Sequence, residues 1–353
     1  MVIKVGLIGC GGIAPVHLRA YKKLRPKVEI IALCDINRKK AENVARVFKV
    51  EKTFESYFDM FDKCDLDLVD ICTPISTHAK IVCDSAEEVQ AILVEKPMAL
   101  NIAQCDEMIA KVEKHKTKLC VGHNQIFSPH IQKIRKMIDD GEFILLSLRT
   151  HLAANFDVLI ANKLVSQLNI SPQERGVLWE VCCHHAYLQQ YFLPSIQEVY
   201  AIGNNVRYPV YDDFMVLLRT KGEQFGLIDV SWVSNEMDVV YDFRDKNGKR
   251  IEILWEFDCM LERSANPPFN ICLAIKNILT DEKRILKKWF RLGLGHIRKT
   301  KMLPTFNLIR NFIKSIEMDL PPPVTPEDGK RTVKLLECIE ESIKKGKPVS
   351  FDY

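Results

Sequence analysis

The chain has 353 residues with a formal net charge of +4, and 47% of its residues are hydrophobic. A single hydrophobic core seldom grows beyond about 250–300 residues, so two domains are expected. So small a charge gives no reason to expect a nucleic-acid partner, and we find no run of the roughly 18 apolar residues that would span a membrane. The twelve cysteines form no CxxC pair, which indicates buried thiols in a reducing cytoplasm. Because the chain starts on a core strand, no signal peptide is expected.

The first 35 residues carry the pattern of a dinucleotide-binding turn. A strand-like run leads into Gly9-Cys10-Gly11-Gly12-Ile13-Ala14, and a helix and a second strand-like run follow. Gly9 permits a tight turn, Gly11 lets the backbone approach a diphosphate, and Ala14 lets the helix pack closely on the strand. The positive end of the helix dipole favours the diphosphate. The pattern predicts a nicotinamide dinucleotide site, and a plain glycine turn is the alternative.

Asp35 and Arg38 bear on which dinucleotide is expected. Asp35 ends the second strand, about 20 residues beyond the turn, where an acid accepts hydrogen bonds from the adenosine ribose of NAD. Its charge would repel the 2′-phosphate of NADP. Arg38 lies close enough to oppose that preference, so NAD is expected and NADP remains possible.

The first third of the chain alternates strands and helices. Six strand-like runs are separated by helical patterns, and Ser76 is a plausible N-cap of the helix that follows the fourth strand. This order predicts a doubly wound parallel sheet over residues 1–122, an NAD(P)-binding Rossmann domain with its ligand crevice at the carboxyl ends of the strands.

Beyond Gly122 strands follow one another without crossover helices. Six runs are predicted as strands, and Asn247-Gly248 between the last two is a strong hairpin signal. Residues 123–353 are therefore expected to form an α+β domain with a C-terminal open, mainly antiparallel sheet. The segment from Pro326 to Lys345 is predicted to be an amphipathic helix.

Two stretches could carry chemistry. Lys96 stands in Glu95-Lys96-Pro97 at the end of a strand, where its ammonium can hydrogen-bond a substrate hydroxyl; a surface lysine is the alternative. Glu180 and His184 are spaced i, i+4, so on one helix the carboxylate could orient the imidazole as a general base.

Two other readings of that second stretch stay open. His184 could be a buried structural histidine. The Cys182-Cys183-His184-His185 run could instead hold zinc, although adjacent helical residues point in different directions and no second ligand pair has the spacing of a zinc site. We expect no metal.

In these motifs the chain resembles the glucose–fructose oxidoreductase / inositol dehydrogenase (Gfo/Idh/MocA) family over nearly its whole length. The resemblance rests on the order and spacing of the glycine turn with Asp35, Cys72-Thr73-Pro74 with His78, Glu95-Lys96-Pro97, Asn124 with Phe127 and Pro129, the Glu180…His184 helix and the closing helix. It implies a Rossmann domain followed by an open antiparallel sheet. It also implies an NAD(P)-dependent dehydrogenase of a sugar, cyclitol or nucleotide sugar, assembled as a homodimer or homotetramer.

The resemblance also implies roles for individual residues. Lys96, Glu180 and His184 would be catalytic. Asn124 would line the substrate cleft, and Tyr187 would contact the substrate. The residues implied to bind the cofactor are Gly9, Gly11, Gly12, Ile13, Ala14, Asp35, Arg38, Thr73, Pro74, His78, Glu95 and Lys96. The chain departs from the family pattern at Glu180, where aspartate is usual, at Cys182, where glycine is common, and at Tyr187, which replaces a second aspartate that often contacts substrate.

A second hypothesis, a dinucleotide-binding sensor or scaffold without turnover, is motivated by the altered positions around Tyr187 and Arg175. The joint presence of Lys96 and His184 argues against it, because a sensor needs neither. A third hypothesis is an oxidoreductase whose cofactor never leaves.

A basic stretch, Lys283–Lys301, bears on the substrate. It carries eight Lys and Arg residues and no acid, with apolar residues interleaved. It could be a solvated face, or it could contact a membrane surface or a partner. We hypothesise that Arg291 and Arg298 bind the diphosphate of a nucleotide-linked sugar, since a guanidinium can hold phosphate oxygens in a bidentate way.

Overall fold

The computed structural model describes residues 2–161, 171–255, 258–263 and 303–353. They form two compact units. The first comprises residues 2–127, 173–175 and 303–335, and the second comprises the other described residues. Each unit contains one sheet. Within the described residues we find no helix whose length and hydropathy would let it cross a membrane.

The first unit is built on a six-stranded parallel sheet. Its strands are β1 (Ile3–Ile8), β2 (Val28–Cys34), β3 (Lys52–Phe54), β4 (Leu68–Ile71), β5 (Ala91–Val94) and β6 (Lys118–Val121). They lie in the order β3-β2-β1-β4-β5-β6. All five neighbouring pairs are parallel. This is the doubly wound arrangement that the alternation of strands and helices predicted, and the prediction is confirmed.

The helices follow the sequence pattern closely. Those described are α1 (Ala14–Lys23), α2 (Arg38–Phe48), α3 (Tyr57–Lys63), α4 (Ile75–Ser85), α5 (Ile102–His115), α6 (Pro129–Asp139), α7 (Phe156–Ala161), α8 (Gly176–Glu180), α9 (Cys182–Phe192), α10 (Leu303–Glu317) and α11 (Pro326–Lys345). Residues 326–335 of α11 belong to the first unit and residues 336–345 to the second.

The start of α4 differs from the sequence expectation. Ser76 was predicted to be the N-cap, but the cap position is taken by Pro74, and the helix begins at Ile75. Proline keeps the extended backbone that a cap requires, with φ −61° and ψ 148°. Ser76 therefore lies in the first turn, where its hydroxyl donates to Glu174 Oε1 at 2.5 Å.

The second unit is built on an eight-stranded sheet. Its strands are β7 (Leu145–Asn155), β8 (Ile196–Asn204), β9 (Asp213–Thr220), β10 (Phe225–Ser231), β11 (Val233–Asp245), β12 (Arg250–Leu254), β13 (Cys259–Arg263) and β14 (Val349–Ser350). They lie in the order β13-β12-β11-β7-β10-β9-β8-β14. The predicted hairpin at Asn247-Gly248 is confirmed, since β11 and β12 pair antiparallel across it.

One pair in this sheet breaks the antiparallel rule. β7 and β10 run parallel, because the chain between them forms α7 to α9 and the β8–β9 pair before β10 returns beside β7. The other six neighbouring pairs are antiparallel, so the prediction of a mainly antiparallel sheet is confirmed.

The two faces of the second sheet differ. Along β9 buried Phe214, Val216 and Leu218 alternate with exposed Met215 and Leu217. The buried face lies against helices of the same unit: the Gln189 amide of α9 donates to Leu148 O at 3.1 Å, and Ser342 Oγ of α11 accepts from Ala201 N at 2.9 Å. The opposite face carries exposed apolar side chains.

Candidate active site

The glycine turn leaves β1 at Gly9. Its φ of +95° is one that side chains disfavour, and a Cβ there would lie 2.6 Å from Cys72 O. The Gly9 N–H donates to Cys34 O at 2.8 Å, which fixes the turn against β2. Gly9 is therefore required by the fold of the turn.

Gly11 and Gly12 have a different setting. A Cβ added at either would meet no atom within 4 Å, so the backbone here borders open space. The turn then runs into α1, which has Pro15 in its first turn and buries Ala14 completely. Free backbone N–H groups at a helix start beside open space form a cradle for phosphate oxygens. The turn thus fits a dinucleotide diphosphate.

Asp35 lies at the end of β2 and holds two backbone groups. Its Oδ2 accepts from Cys10 N at 2.8 Å, and its Oδ1 accepts from Asn37 N at 2.8 Å. The carboxylate is thereby fixed beside the glycine turn and retains lone pairs for ribose hydroxyls. Arg38 is exposed and its Nε donates to Glu42 Oε1 at 2.8 Å, so its charge is partly neutralised within α2.

His78 joins two of the turns predicted to contact the cofactor. Its ring is buried, with Nδ1 2.9 Å from Pro97 O and Nε2 3.0 Å from Thr73 O. Burial lowers the pKa of His78 despite these two carbonyl groups. The turn after β4, with Thr73 and Pro74, and the turn after β5, with Lys96, are therefore held side by side.

 Glu95 Oε1 lies 2.9 Å from Nε2 of His17, and Nδ1 of the same ring lies 2.7 Å from Asp70 Oδ2. All three side chains are buried. The other carboxylate oxygen of Glu95 accepts from Lys96 N at 3.1 Å. Glu95 therefore reaches both the lysine turn and the interior of the unit.

Sequence reasoning missed His17 and Asp70. An acid inside β4, a strand whose residues are all buried, was the available signal, because a buried carboxylate needs a partner. Among the described residues, one group of three potential metal ligands lies close together, and it consists of His17, Asp70 and Cys72. Two of its members are already hydrogen-bonded to each other, and the Cys72 thiol lies 3.5 Å from Asp70 Oδ1.

Asn124 lies in a short 3₁₀ turn, Asn124–Phe127, that follows β6. Its Nδ2 donates to Thr305 Oγ1 of α10 at 3.0 Å, and the side chain is half-buried. The amide is thus oriented within the first unit by α10.

Glu180 and His184 lie in the second unit, where the sequence predicted one continuous helix. The structure instead has α8 ending at Glu180 and α9 beginning at Cys182, with Val181 between them. The His184 N–H donates to Val181 O at 3.0 Å, three residues back, so the chain is tightened at this point. The i, i+4 geometry of an uninterrupted helix therefore does not apply across the junction.

Burial distinguishes the two predicted residues from their neighbours. From Gly176 to Gln190 each side chain is buried except those of Glu180 and His184. The next histidine, His185, is buried, and burial lowers its pKa to about 3. His184 is thus the histidine of this stretch that can meet a ligand.

The His184 ring is hydrogen-bonded to Tyr187. Nδ1 lies 2.7 Å from Tyr187 Oη, and the rings meet edge to face at 5.6 Å between centroids. Tyr187 itself is buried. Its hydroxyl therefore orients the imidazole within α9.

The two predicted substrate arginines cannot be placed. Arg291 and Arg298, with the basic stretch Lys283–Lys301 that contains them, lie outside the described residues. The predicted residues that the structure brings together are those of the first unit around the glycine turn and the turns after β4 and β5, and those of the second unit around His184.

Comparison with known proteins identifies relatives of both units. A family model described as "Oxidoreductase family, NAD-binding Rossmann fold" matches residues 3–123, and one described as "GFO/IDH/MocA C-terminal domain" matches residues 131–254. The myo-inositol 2-dehydrogenase of Thermotoga maritima is 22% identical over 358 residues, covering 99% of each chain.

Two solved structures share the fold over the full length. Levoglucosan dehydrogenase in complex with NADH and levoglucosan superposes with a TM-score of 0.81 at 19% identity, and the match covers 100% of both chains. The WlbA dehydrogenase from Bordetella pertussis, in complex with NADH and UDP-GlcNAcA, has a TM-score of 0.78 at 18% identity and covers 100% of this chain and 98% of that one.

The glycine turn generates a prediction that separates folding from binding. Gly9→Ala should lower the free energy of unfolding by about 1–3 kcal/mol, because the new methyl group would clash with Cys72 O at an unfavourable φ. Gly11→Ala should leave stability within about 0.5 kcal/mol, because its methyl group would enter open space, yet it should weaken NADH binding. Denaturant unfolding and NADH fluorescence titration measure the two effects. Equal stability of the two variants would contradict the prediction.

Proposed function

The chain belongs to the GFO/IDH/MocA oxidoreductase family, and from this premise we propose that it is an NAD-dependent dehydrogenase that oxidises a secondary alcohol of a sugar, cyclitol or nucleotide sugar. The observation that carries the proposal is the glycine turn, open at Gly11 and Gly12 and flanked by the fixed carboxylate of Asp35. The relatives named above are dehydrogenases that act on or bind ring polyols, which supports this substrate class. The activities named for these relatives also favour an enzyme with turnover over a sensor or scaffold.

The residues of the first unit fit the cofactor in three places. The backbone of Gly11 and Gly12 would hold the diphosphate, Asp35 the adenosine ribose, and the turn at Thr73 the nicotinamide end. When bound, NAD supplies the electrophilic carbon that accepts a hydride from the substrate. His78 keeps the Thr73 turn in place through its contact with Thr73 O.

Lys96 and His184 are proposed to handle the substrate proton. The Lys96 ammonium donates a hydrogen bond to the reacting hydroxyl and favours its alkoxide form. His184 accepts the proton at Nε2, provided that Nδ1 carries the ring hydrogen and donates it to Tyr187 Oη. Tyr187 therefore orients the His184 ring. Glu180, the half-exposed acid of the predicted pair, keeps its proposed catalytic role.

The basic stretch also bears on which substrate of this class is used. The basic stretch Lys283–Lys301 motivates a nucleotide-linked hexose or hexosamine, with Arg291 and Arg298 binding its diphosphate. Comparing kcat/KM for a nucleotide sugar and its free sugar tests this choice, first in the wild type and then in Arg291→Ala and Arg298→Ala.

We also propose that the protein is a homodimer or homotetramer that pairs through the exposed face of the second sheet. Tyr200 and Ile202 of β8 lie opposite Leu217 and Met215 of β9, and all four are exposed by 40–54%. Leu227 of β10 continues the row beside Leu217. A contiguous apolar patch on a sheet face is typical of a subunit interface.

A cytoplasmic location is part of the proposal. Eleven described cysteines are free, and ten of them are buried. Buried free thiols suit a compartment that keeps cysteines reduced.

The proposed roles of Lys96 and His184 predict the effect of two substitutions on turnover. Lys96→Met and His184→Asn should each lower kcat by about 10²–10⁴-fold, because each removes a group that handles the substrate proton. NADH affinity should change little. Stopped-flow or steady-state absorbance of NADH on a panel of sugars, cyclitols and nucleotide sugars provides the measurement.

Two matched controls accompany these variants. Lys80→Met removes an exposed lysine of the same unit that pairs with Asp84, and His130→Asn removes a histidine of the second unit that contacts Asp258. Both should keep nearly full activity. If Lys96→Met and His184→Asn are as active as these controls, the chemistry has been placed on the wrong residues.

The proposed role of Asp35 predicts a preference between NADH and NADPH. The wild type should bind NADH at least about tenfold more tightly than NADPH, because the Asp35 carboxylate repels a 2′-phosphate. Asp35→Asn keeps the shape and removes the charge, so the preference should shrink. Fluorescence titration of both reduced cofactors decides the matter, and tighter binding of NADPH by the wild type would refute the assignment of Asp35.

The proposed interface predicts the effect of a charge in the apolar patch on assembly. Leu217→Asp places a charge in the middle of the apolar patch, so it should weaken self-association by about tenfold or more. Val47→Asp, at an exposed position of α2, is the control and should leave the oligomer intact. Sedimentation equilibrium measures both, and an unchanged oligomer in Leu217→Asp would exclude this face as the interface.

A further inference from the structure

A buried polar cluster lies inside the first unit, among the elements that carry the proposed ligand-binding turns. His17 contributes its imidazole at the centre, and the other members are Asp70, Cys72 and Glu95. His17 and Asp70 are 0% exposed, and Glu95 is 8% exposed. A cluster this deeply buried costs folding free energy unless its groups satisfy one another.

The two hydrogen-bond contacts of His17 determine the charge of its imidazole ring. Both nitrogens of His17 face carboxylate oxygens, at 2.7 Å from Asp70 and 2.9 Å from Glu95. An ionised carboxylate can only accept hydrogen bonds, so between two ionised carboxylates both ring nitrogens donate and the ring is an imidazolium. Asp70 raises the pKa of His17 against the opposing effect of burial, and His17 lowers the pKa of Glu95 against the same effect.

The cluster connects three elements that are distant in sequence. His17 belongs to α1, which begins where the glycine turn ends. Asp70 belongs to β4, which leads to Thr73, and Glu95 follows β5 and immediately precedes Lys96. One ring therefore ties the start of α1 to the ends of two neighbouring strands.

Glu95 passes this restraint on to the lysine turn. While Oε1 faces His17, Oε2 accepts from the backbone N–H of Lys96 at 3.1 Å. The space around the Glu95 carboxyl is tight, since a Cβ on Gly122 would lie 3.3 Å from its Cδ. The carboxylate consequently has little freedom to move away from either partner.

We propose that His17 is a positioning residue, which acts through Glu95 to hold the backbone of Lys96 in the orientation that substrate oxidation needs. The inference rests on the proposed catalytic role of Lys96. Asp70 anchors the opposite side of the ring and keeps its Nε2 directed at Glu95. The contact of His17 with Glu95, rather than its contact with Asp70, is the one that matters for turnover.

Two substitutions at one position separate the two contacts. The amide nitrogen of glutamine takes the place of Nε2, so His17→Gln keeps a donor toward Glu95. The amide nitrogen of asparagine takes the place of Nδ1, so His17→Asn keeps a donor toward Asp70. Both remove the positive charge, and both should lower Tm.

The two His17 variants are expected to differ in turnover and in hydrogen exchange at Lys96. His17→Asn should lower kcat by about 10–100-fold, since a small misplacement of a reacting group costs about that much, while Kd for NADH should stay within about threefold of wild type. Amide hydrogen exchange at Lys96, followed in the full-length protein without cofactor or substrate, should accelerate by about tenfold as its acceptor is released. His17→Gln should stay near the wild type in both kcat and exchange.

A stability control and a second pair of variants complete the design. Thr117→Val removes a buried hydrogen bond to Ala86 O in the same unit, so it should lower Tm without changing kcat or exchange at Lys96. If neither His17 variant folds, Glu95→Gln and Asp70→Asn take their place. Glu95→Gln should then lose more kcat than Asp70→Asn.

The possible results test the positioning role of His17 separately from the proposed dehydrogenase activity. Equal kcat and equal Lys96 exchange in the two members of a pair would overturn the positioning role, as would losses that merely follow Tm. Asymmetric exchange in a protein that turns over no substrate of the panel would support the positioning of Lys96 and refute the proposed function.

Discussion

The parallel pairing of the first sheet constrains every candidate group in that unit. Because β1, β4 and β5 are parallel neighbours, the glycine turn, the Thr73 turn and the Lys96 turn all leave the sheet at the same edge. Backbone hydrogen bonds such as Cys72 N to Ile8 O and Glu95 N to Ile71 O extend that registration to the first residue beyond each strand. The position of the turns is thus a property of the sheet, while their orientation depends on buried side chains.

The contacts of those side chains explain why one part of the candidate site could be predicted from the sequence and another part could not. The glycine turn and Asp35 were predictable, because local spacing and backbone chemistry determine them. The hairpin at Asn247-Gly248 was predictable for the same reason. The cluster around His17 was not, since it joins a helix and two strands whose proximity only the folded sheet creates. The roles assigned to Lys96 and His184 remain predictions.

In the second unit, too, some features could be predicted from the sequence and others could not. Alternation of apolar and polar residues predicts strands such as β9 and the face that each side chain occupies. It does not predict the parallel pairing of β7 with β10, because two strands with the same pattern fit a sheet in either direction. It also does not predict the tightened turn at Val181, where helical periodicity continues through a local change in hydrogen bonding.

The hydrogen bonds of Asp35 have a thermodynamic consequence for ligand recognition. With Cys10 N on one oxygen and Asn37 N on the other, the carboxylate is ordered by the fold itself. An unrestrained side chain must lose rotational freedom when it engages a ribose, and that loss subtracts from affinity. Here the loss occurs once, when the chain folds, so the ribose contact proposed for Asp35 would start from a preorganised acceptor.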